Sequence, residues 1–225
     1  MLKPQKKFSK KELKEDKFIT SAMQAKAYIE DNYRQVTTTV LVILAVVVAI
    51  MGYRYYHNQR VEKASILLGK AQLEYQNMNT PKAKQFLSRL IEAYDGTDAA
   101  DKGKFLMANI QFQNDKIVEA KTYFEEFIDS YSGSKILISS AYGGLAACYE
   151  AEDNHSEAAE TYIKAQRKAP DFVEAPNYLY LAGQNYLELD QREKARELFL
   201  EIQEEYPDSE RSDDAKASLI MLAQK

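Results

Sequence analysis

The chain has 225 residues, with 30 Lys and Arg, 34 Asp and Glu, eight Gly, five Pro and a single Cys. This length gives room for one sizeable domain, and the few Gly and Pro residues disfavour an all-β fold built on tight turns. Ala, Glu, Lys, Leu and Gln dominate after Arg54, a composition that favours helix. The sequence therefore predicts an all-α fold. The lone Cys148 excludes an intramolecular disulfide and any multi-cysteine metal site.

Charge is unevenly distributed along the chain. Residues 1–34 hold nine Lys and Arg against five Asp and Glu, whereas residues 54–225 hold 21 against 29. An acidic main domain is a poor partner for nucleic acid, because binding to phosphates requires a basic face. We therefore expect no nucleic-acid partner.

The leader, residues 1–34, contains one apolar stripe at helical spacing. The stripe consists of Phe18, Ala22, Ala25, Ile29 and Tyr33. One interpretation is an amphipathic helix that lies on an anionic membrane surface or docks on a membrane partner. The other is a solvated helical lead-in to the segment that follows, and the sequence leaves both open.

The stretch from Gln35 to Tyr53 has 19 residues and no charge, and it lies between Arg34 and Arg54. As a helix it would be about 28 Å long, close to the hydrocarbon thickness of a bilayer. Ten of its residues are Val, Leu or Ile. On an insertion scale these ten favour the membrane by about 3 to 6 kcal/mol together. The stretch predicts one transmembrane helix.

Two other interpretations of this stretch are a buried core helix and a signal peptide. A core helix of this length should have a polar face, and this segment has none. A signal peptide should have a shorter apolar run and a small-residue cleavage site, whereas Ile50, Met51 and Tyr53 occupy the end here. The sequence therefore favours an uncleaved single-span anchor.

Basic residues on either side of the span predict its orientation. Nine Lys and Arg precede it, and residues 54–73 contain only four. The positive-inside rule places the N-terminus in the cytoplasm and the main domain across the membrane. In a bacterium this corresponds to the inner membrane, with the main domain in the periplasm.

After the span the chain repeats with a period of 37 or 38 residues. Four registers coincide. An Ala recurs at Ala83, Ala120, Ala158 and Ala195, and twelve residues before each stands a small residue, at Ala71, Ala108, Ala146 and Gly183. Four residues after each Ala comes a large apolar residue, at Leu87, Phe124, Tyr162 and Phe199, and turn residues follow at Asp95, Ser132, Pro170 and Pro207. The pattern predicts four helix pairs, in which the small residue lets the second helix cross closely.

This pattern resembles the tetratricopeptide repeat, whose unit is two antiparallel helices. Gly183 with Tyr186, and Ala146 with Tyr149, match the small-x-x-Tyr core of its first helix, and Ala195 with Phe199 matches the second. The resemblance implies an α-solenoid of about four helix pairs. A C-terminal capping helix at 212–225 would direct Leu219, Leu222 and Ile220 onto the stack. Because the period exceeds the usual one, we expect longer turns between repeats.

A second resemblance covers nearly the whole chain. The order of parts and the junction residues Gly52, Tyr53, Arg54, Tyr55, Val61 and Ala64 are similar to the ancillary subunit family of the bacterial Sec translocon. The resemblance implies a periplasmic chaperone-like protein that associates with the translocon and with unfolded client polypeptides. Two alternatives remain: a structural scaffold of an envelope or secretion complex, and an organelle import receptor that presents its repeats to the cytosol.

These observations divide the chain into four parts: a cytoplasmic Lys-rich leader (1–34), a transmembrane helix (35–53), a juxtamembrane connector (54–63) and a repeat domain (64–225).

No motif in the sequence indicates catalysis, a cofactor, a metal ion or a small-molecule substrate. There is no Gly-rich phosphate loop, no nucleophile elbow and no metalloprotease motif. His57 and His155 have no second ligand at metal spacing, so we expect both at the surface. Cys148 lies between Ala147 and Tyr149, where a small buried hydrophobic residue is expected. We predict a non-enzymatic, protein-binding chain.

The resemblance to the repeat implies that the first helices line an inner groove. The expected peptide-binding residues are Leu68, Gln72 and Tyr75 in repeat 1, Phe105, Asn109 and Phe112 in repeat 2, and Tyr180, Gln184 and Leu187 in repeat 4. Each set is apolar, amide, apolar along one helical stripe. Repeat 3 offers Gly143, Ala147 and Glu150, so a hollow is expected there. The alternative is that these residues pack against neighbouring helices or the cap.

Overall fold

A computed structural model describes residues 10–224, with side chains from residue 17 onward; the first nine residues of the leader lie outside this range. Within the described part the chain is helical and has no strand, which confirms the predicted all-α class. The helices are α1 Lys10–Asp31, α2 Tyr33–Gln76, α3 Thr80–Tyr94, α4 Asp98–Gln113, α5 Ile117–Ser130, α6 Lys135–Ala151, α7 His155–Lys168, α8 Ala175–Glu188, α9 Arg192–Glu205 and α10 Glu210–Ala223.

The chain divides into two compact parts, residues 1–58 and 59–225. In the first part, residues 40–53 of helix α2 are exposed along their whole length. This is the one helix among the described residues that is long and apolar enough to cross a membrane. The exposure argues against a core helix, since a core helix would pack against the rest of the protein. Leader residues such as Phe18 and Ile29 are likewise exposed on α1.

Three consecutive threonines near the start of the apolar stretch satisfy their hydroxyl groups within the helix. Thr38 Oγ1 donates to the Arg34 carbonyl at 2.8 Å and Thr39 Oγ1 to the Gln35 carbonyl at 2.9 Å, and Thr37 donates to the carbonyl of Tyr33 in the same way. These bonds give each of the three hydroxyls a backbone acceptor one turn earlier in the helix.

The second part is built from four helix pairs and a final helix. Repeat 1 combines α2 from residue 59 with α3, repeat 2 is α4 and α5, repeat 3 is α6 and α7, repeat 4 is α8 and α9, and α10 closes the stack. Three of the four predicted registers are buried, whereas the turn residues are exposed. The buried registers are the four alanines from Ala83 to Ala195, the four small residues from Ala71 to Gly183, and the four large residues Leu87, Phe124, Tyr162 and Phe199. This confirms the predicted solenoid.

The crossing of the two helices in repeat 4 shows why the small residue is needed. A Cβ atom placed on Gly183 would lie 2.5 Å from Cε1 of Phe199, well inside van der Waals contact. Phe199 in turn is fully buried. The small residue of the first helix and the large residue of the second therefore occupy one shared space.

The connections between repeats are shorter than expected. Only residues 95–97, 131–134 and 169–174 separate one repeat from the next, and residues 206–209 separate repeat 4 from α10, because helices α3 to α9 contain 14 to 17 residues and fill most of the period. The prediction of longer turns between repeats is wrong at these positions.

The turn inside each helix pair has the same backbone conformation four times. A residue with positive φ stands at Met78, Asp115, Asp153 and Asp190, with φ between 54° and 60°. The N–H of the following residue reaches back to the first helix, as in the 2.8 Å bond from Gln191 to the Tyr186 carbonyl. Asp tolerates this left-handed conformation better than most residues, whereas Met does not. Repeat 1 is therefore the one turn of the four in which the residue type does not suit the backbone conformation.

Three clusters of buried residues run through the stack, and each one draws on two neighbouring repeats. Leu87 and Met107 share one cluster, Phe124 and Ile138 a second, and Tyr162 and Leu179 a third. No helix pair encloses its core alone, which is the property that makes a solenoid cooperative between neighbours.

The final helix covers the end of the stack as predicted, with one correction. Ala215 is fully buried, and Leu219 and Leu222 pack against the third cluster. Ile220 instead is 52% exposed, because it lies on the opposite side of α10.

The crossing in repeat 4 generates a first prediction. Gly183→Ala should destabilise residues 59–225 by about 1–3 kcal/mol through overpacking against Phe199, and Phe199→Ala by about 3–5 kcal/mol through a cavity. Gly69, which has open space around it in the same kind of helix, is the matched control: Gly69→Ala should stabilise by about 0.5–1 kcal/mol. Urea unfolding followed by circular dichroism measures all three. A neutral Gly183→Ala would mean that the two helices do not cross there.

The turn of repeat 1 generates a second prediction. Met78 is 90% exposed and has positive φ. Replacing its side chain can therefore relieve backbone strain without removing a packing contact. Met78→Asn should raise the free energy of unfolding by about 1 kcal/mol, because Asn tolerates the left-handed conformation. Met78→Leu keeps the strain and should change little. Equal stability of the two variants in thermal unfolding would contradict the turn conformation.

Alkaline pH provides a third prediction. Burial raises the pKa of the Cys148 thiol to about 12, and burial also raises the pKa of the Tyr178 hydroxyl. The unfolded chain loses these protons first, from its thiol near pH 8.5, so stability is complete below that pH and falls as pH rises toward 12. At pH 10 the thiol alone should lower the free energy of unfolding by about 2 kcal/mol.

Unfolding of Cys148→Ala across the same pH range separates the thiol from the tyrosines. The variant should lose stability less steeply between about pH 8 and 9, where tyrosines of the unfolded chain, with a pKa near 10, are still mostly protonated. Identical pH profiles for both proteins would contradict a thiol kept neutral by burial.

Candidate functional site

The predicted peptide-binding residues all lie on the first helices of their repeats, where the resemblance placed them. Gln72 is exposed, and the other eight are half-buried; they are Leu68, Tyr75, Phe105, Asn109, Phe112, Tyr180, Gln184 and Leu187. None is fully buried, so each offers part of its surface to a ligand. We call this set the inner stripe.

In repeat 2 the apolar member of the inner stripe is anchored by the helix behind it. The Phe105 ring lies 5.3 Å from the ring of Phe127 and 6.0 Å from that of Phe124, measured between centroids. Phe112 packs against the same cluster. These contacts fix the rings in place, so a ligand would meet them preorganised.

Amide groups stand between the rings. Asn109 Nδ2 donates to the Phe105 carbonyl one turn earlier, at 2.8 Å. This bond orients the amide and leaves its oxygen available as an acceptor. Gln72 in repeat 1 is exposed, and its amide can both donate and accept. Such groups are suited to the N–H and C=O groups of an extended backbone.

In repeat 1 the stripe is tied to the next repeat. Tyr75 Oη donates to Gln113 Oε1 at 2.8 Å, across the boundary between repeats 1 and 2. Its ring packs against the first core cluster together with Leu68. The Tyr75 hydroxyl therefore already donates its proton within the protein and can only accept a hydrogen bond from a ligand.

In repeat 4 the stripe meets the capping helix. The Arg211 guanidinium lies 5.0 Å from the centroid of the Tyr180 ring, and that ring is 5.6 Å from Phe199. Gln184 and Leu187 line a cavity of about 240 Å³. Its other walls are Asp190, Arg192, Ser218, Met221 and Leu222. The structure thus brings Gln184 and Leu187 together with α10 and leaves a small recess between them.

Repeat 3 differs from the expected hollow. A Cβ on Gly143 would lie 2.5 Å from Cε1 of Tyr178, so the space beside this glycine is filled by the ring from repeat 4. Glu150 accepts a hydrogen bond from Tyr162 Oη at 2.9 Å. The expectation of a hollow at Gly143 is wrong, because the next repeat supplies a large side chain there.

The histidines and the cysteine have the environments of structural residues. His57 is exposed and stacks on Tyr53, whereas His155 is half-buried and its Nδ1 lies 2.8 Å from Oδ1 of Asn185 in the next repeat. His155 is therefore an inter-repeat contact, which the sequence had placed at the surface. Cys148 is fully buried, as predicted. Within residues 10–224, no three His, Cys, Asp or Glu side chains are grouped to hold a metal ion.

Sequence reasoning missed an open cleft at the connections of repeats 3 and 4. Cavities of about 420 and 460 Å³ adjoin there and share Val173, Pro176, Asp208 and Ser209 in their walls. The recurrence of Pro170 and Pro207 at one register marked these connections as turns. It could not show that two connections lie side by side, since that depends on the stacking of the repeats.

Known proteins provide three comparisons. Two crystal structures of a protein from Podosopora anserina, assigned as a kinesin light chain with nearly identical tetratricopeptide-like repeats, superpose with a TM-score of 0.56. They share 14% identity with this chain and cover 73% of it and 86% and 87% of their own lengths, so they show the fold alone. No curated protein matches the sequence.

The third comparison concerns the family itself. A model of the tetratricopeptide repeat-like domain matches residues 26–219, which include the four helix pairs and most of the final helix. This fold typically forms non-catalytic scaffolds for protein interaction. The chain belongs to the tetratricopeptide repeat-like domain family.

Proposed function

We propose that this chain is a membrane-anchored protein-binding module of the bacterial cell envelope, with its repeats in the periplasm. The observation that carries the proposal is the exposed apolar surface of α2 over residues 40–53, which precedes in sequence a domain of the tetratricopeptide repeat-like family. Water would solvate this surface poorly, whereas a bilayer accommodates it. The basic leader supports a cytoplasmic N-terminus in the inner membrane.

The finer proposal is a chaperone-like subunit that associates with the Sec translocon and binds emerging or unfolded polypeptides. The junction residues from Gly52 to Ala64 and the order of anchor and repeats support the translocon association. The inner stripe supports the proposal that the chain binds unfolded clients, because half-buried apolar side chains, most of them aromatic, alternate with amides along three first helices. This arrangement favours extended apolar segments without selecting one sequence.

The second candidate is a scaffold of an envelope or secretion complex that does not bind unfolded clients. It is favoured by the contacts of Phe105 and Tyr180, which pack on Phe127 and Phe199 and thus have a structural role of their own. In this case the stripe stabilises the stack, and partners bind through other surfaces.

Topology is tested first. Protease added to spheroplasts should digest the repeat domain after Arg54 and spare the leader, because the proposal places only the repeats outside the inner membrane. Antibodies against each part follow the fragments, and a cytoplasmic marker protein controls for lysis. Protection of the repeats would reject the periplasmic location and favour an organelle import receptor, whose repeats face the cytosol.

Client binding is tested with a matched pair of phenylalanines. Phe105→Ala should weaken binding of a reduced, carboxymethylated secreted protein by about thirtyfold, since loss of an aromatic anchor commonly costs about 2 kcal/mol. Phe86 is also half-buried but lies on the second helix α3, outside the inner stripe. Phe86→Ala should leave the affinity unchanged.

Both variants should also be less stable, because both rings pack against core clusters. Fluorescence anisotropy of the labelled client gives the affinity, and thermal unfolding of the same samples gives the stability. If the two variants lose affinity equally, or if neither loses it, the inner stripe is not the client site and the scaffold proposal is favoured.

A further inference from the structure

The outer face of the first helix of repeat 1 differs from the matching faces in the other repeats. At the register of Ile66 the later repeats place Gly103, Ala141 and Tyr178, and at the register of Leu73 they place Ile110, Cys148 and Asn185; all six are buried. In repeat 1 Ile66 is 51% exposed and Leu73 57% exposed. This pair of aliphatic side chains is therefore uncovered within the described chain.

In the later repeats this face is covered by the second helix of the preceding repeat. Leu90 of α3 reaches over Gly103, where a Cβ would lie 2.9 Å from its Cδ2 atom. Tyr162 of α7 stacks on Tyr178 with 6.3 Å between the ring centroids. The same kind of face thus receives an amphipathic helix in each later repeat. Among residues 10–224, no second helix of a preceding repeat stands before repeat 1 to take that place.

Two lysines complete the face in repeat 1. Lys63 and Lys70 stand at i and i+7 with Ile66 and Leu73 at i+3 and i+10, so all four lie along one side of α2. The later repeats have buried apolar residues at these two lysine registers, namely Ala100, Ile138 and Ala175, and Met107, Leu145 and Ala182. Both lysines are exposed, and neither forms an ion pair with a described residue.

We propose that this end face, formed by Lys63, Ile66, Lys70 and Leu73, binds an amphipathic helix of a partner protein. The helix would take the place of a preceding second helix, with aliphatic side chains against Ile66 and Leu73 and carboxylates opposite the two lysines. The charge argument excludes the same face of a second copy, which would bring four ammonium groups together. The site shares no residue with the inner stripe.

The test uses the full chain in the membranes of cells that naturally contain it. The photo-crosslinking amino acid p-benzoylphenylalanine replaces Ile66 or Leu73, and replaces Val118 as a control at an equally apolar position that is 66% exposed on α5. Irradiation should give one discrete adduct at positions 66 and 73 and none at 118. Mass spectrometry should map the cross-linked peptide to an acidic amphipathic helix of another protein.

Charge reversal identifies the basis of the contact. Lys63→Glu with Lys70→Glu should lower the adduct yield by at least about tenfold, because like charges would then face each other. Lys164→Glu with Lys216→Glu makes the same change at two other exposed lysines and should leave the yield unchanged. All four lysines are exposed, so thermal unfolding of both variants should match that of the natural chain.

The Phe105→Ala variant distinguishes the end face from the proposed client site. It should leave the adduct intact, so the end face can be verified even if the inner stripe binds no client. The inference is overturned by an adduct with a second copy of the chain, by a smear of many polypeptides, by no adduct above the Val118 control, or by a yield that charge reversal does not change.

Discussion

The close crossing of a small residue in one helix with a large residue in the next is the interaction on which the fold depends. Phe199 occupies the space that a side chain on Gly183 would need, and Phe124 does the same at Gly144, where a Cβ would meet its ring. The first contact lies within repeat 4 and the second joins repeat 2 to repeat 3, so close contacts of this kind fix neighbouring helices both inside a repeat and between repeats. Each core cluster then joins two repeats, so the stack is stable only as a whole.

Periodicity explains how much of this was predictable. A period near 37 residues fixes which positions of each helix face inward, so the buried alanines, the four helix pairs and the cap follow from the sequence. Contacts between two positions far apart in the chain cannot be predicted from the period. Lys104 and Asp101 look like solvated charges, yet both are buried with 3.5 Å between Nζ and Oδ1, and Ser130 from the next helix donates to the same carboxylate. Tyr178 beside Gly143 is a second case, because its ring comes from another repeat.

The inner stripe shows the same division between what a helix determines and what its neighbours determine. Spacing along one helix places Phe105, Asn109 and Phe112 on a common side, and the structure has them there. How far each ring is buried depends on the second helix behind it and, for Tyr180, on Arg211 of the final helix. Rings held in this way are poor reporters of binding when they are removed, since a stability loss accompanies any affinity loss. A ring of equal burial elsewhere in the stack is therefore the necessary comparison.

Repeat 1 connects the two surfaces considered for binding. Its first helix carries Leu68, Gln72 and Tyr75 of the inner stripe on one side and Ile66 with Leu73 of the end face on another. In a linear stack the stability of a repeat is the sum of its own term and its contacts with neighbours, and a terminal repeat has one neighbour only. A helix bound at the end face would provide the second neighbour and would order the helix that begins the stripe. Docking of a partner helix at the end face would thus strengthen, at no shared contact, the client binding that we propose for the inner stripe.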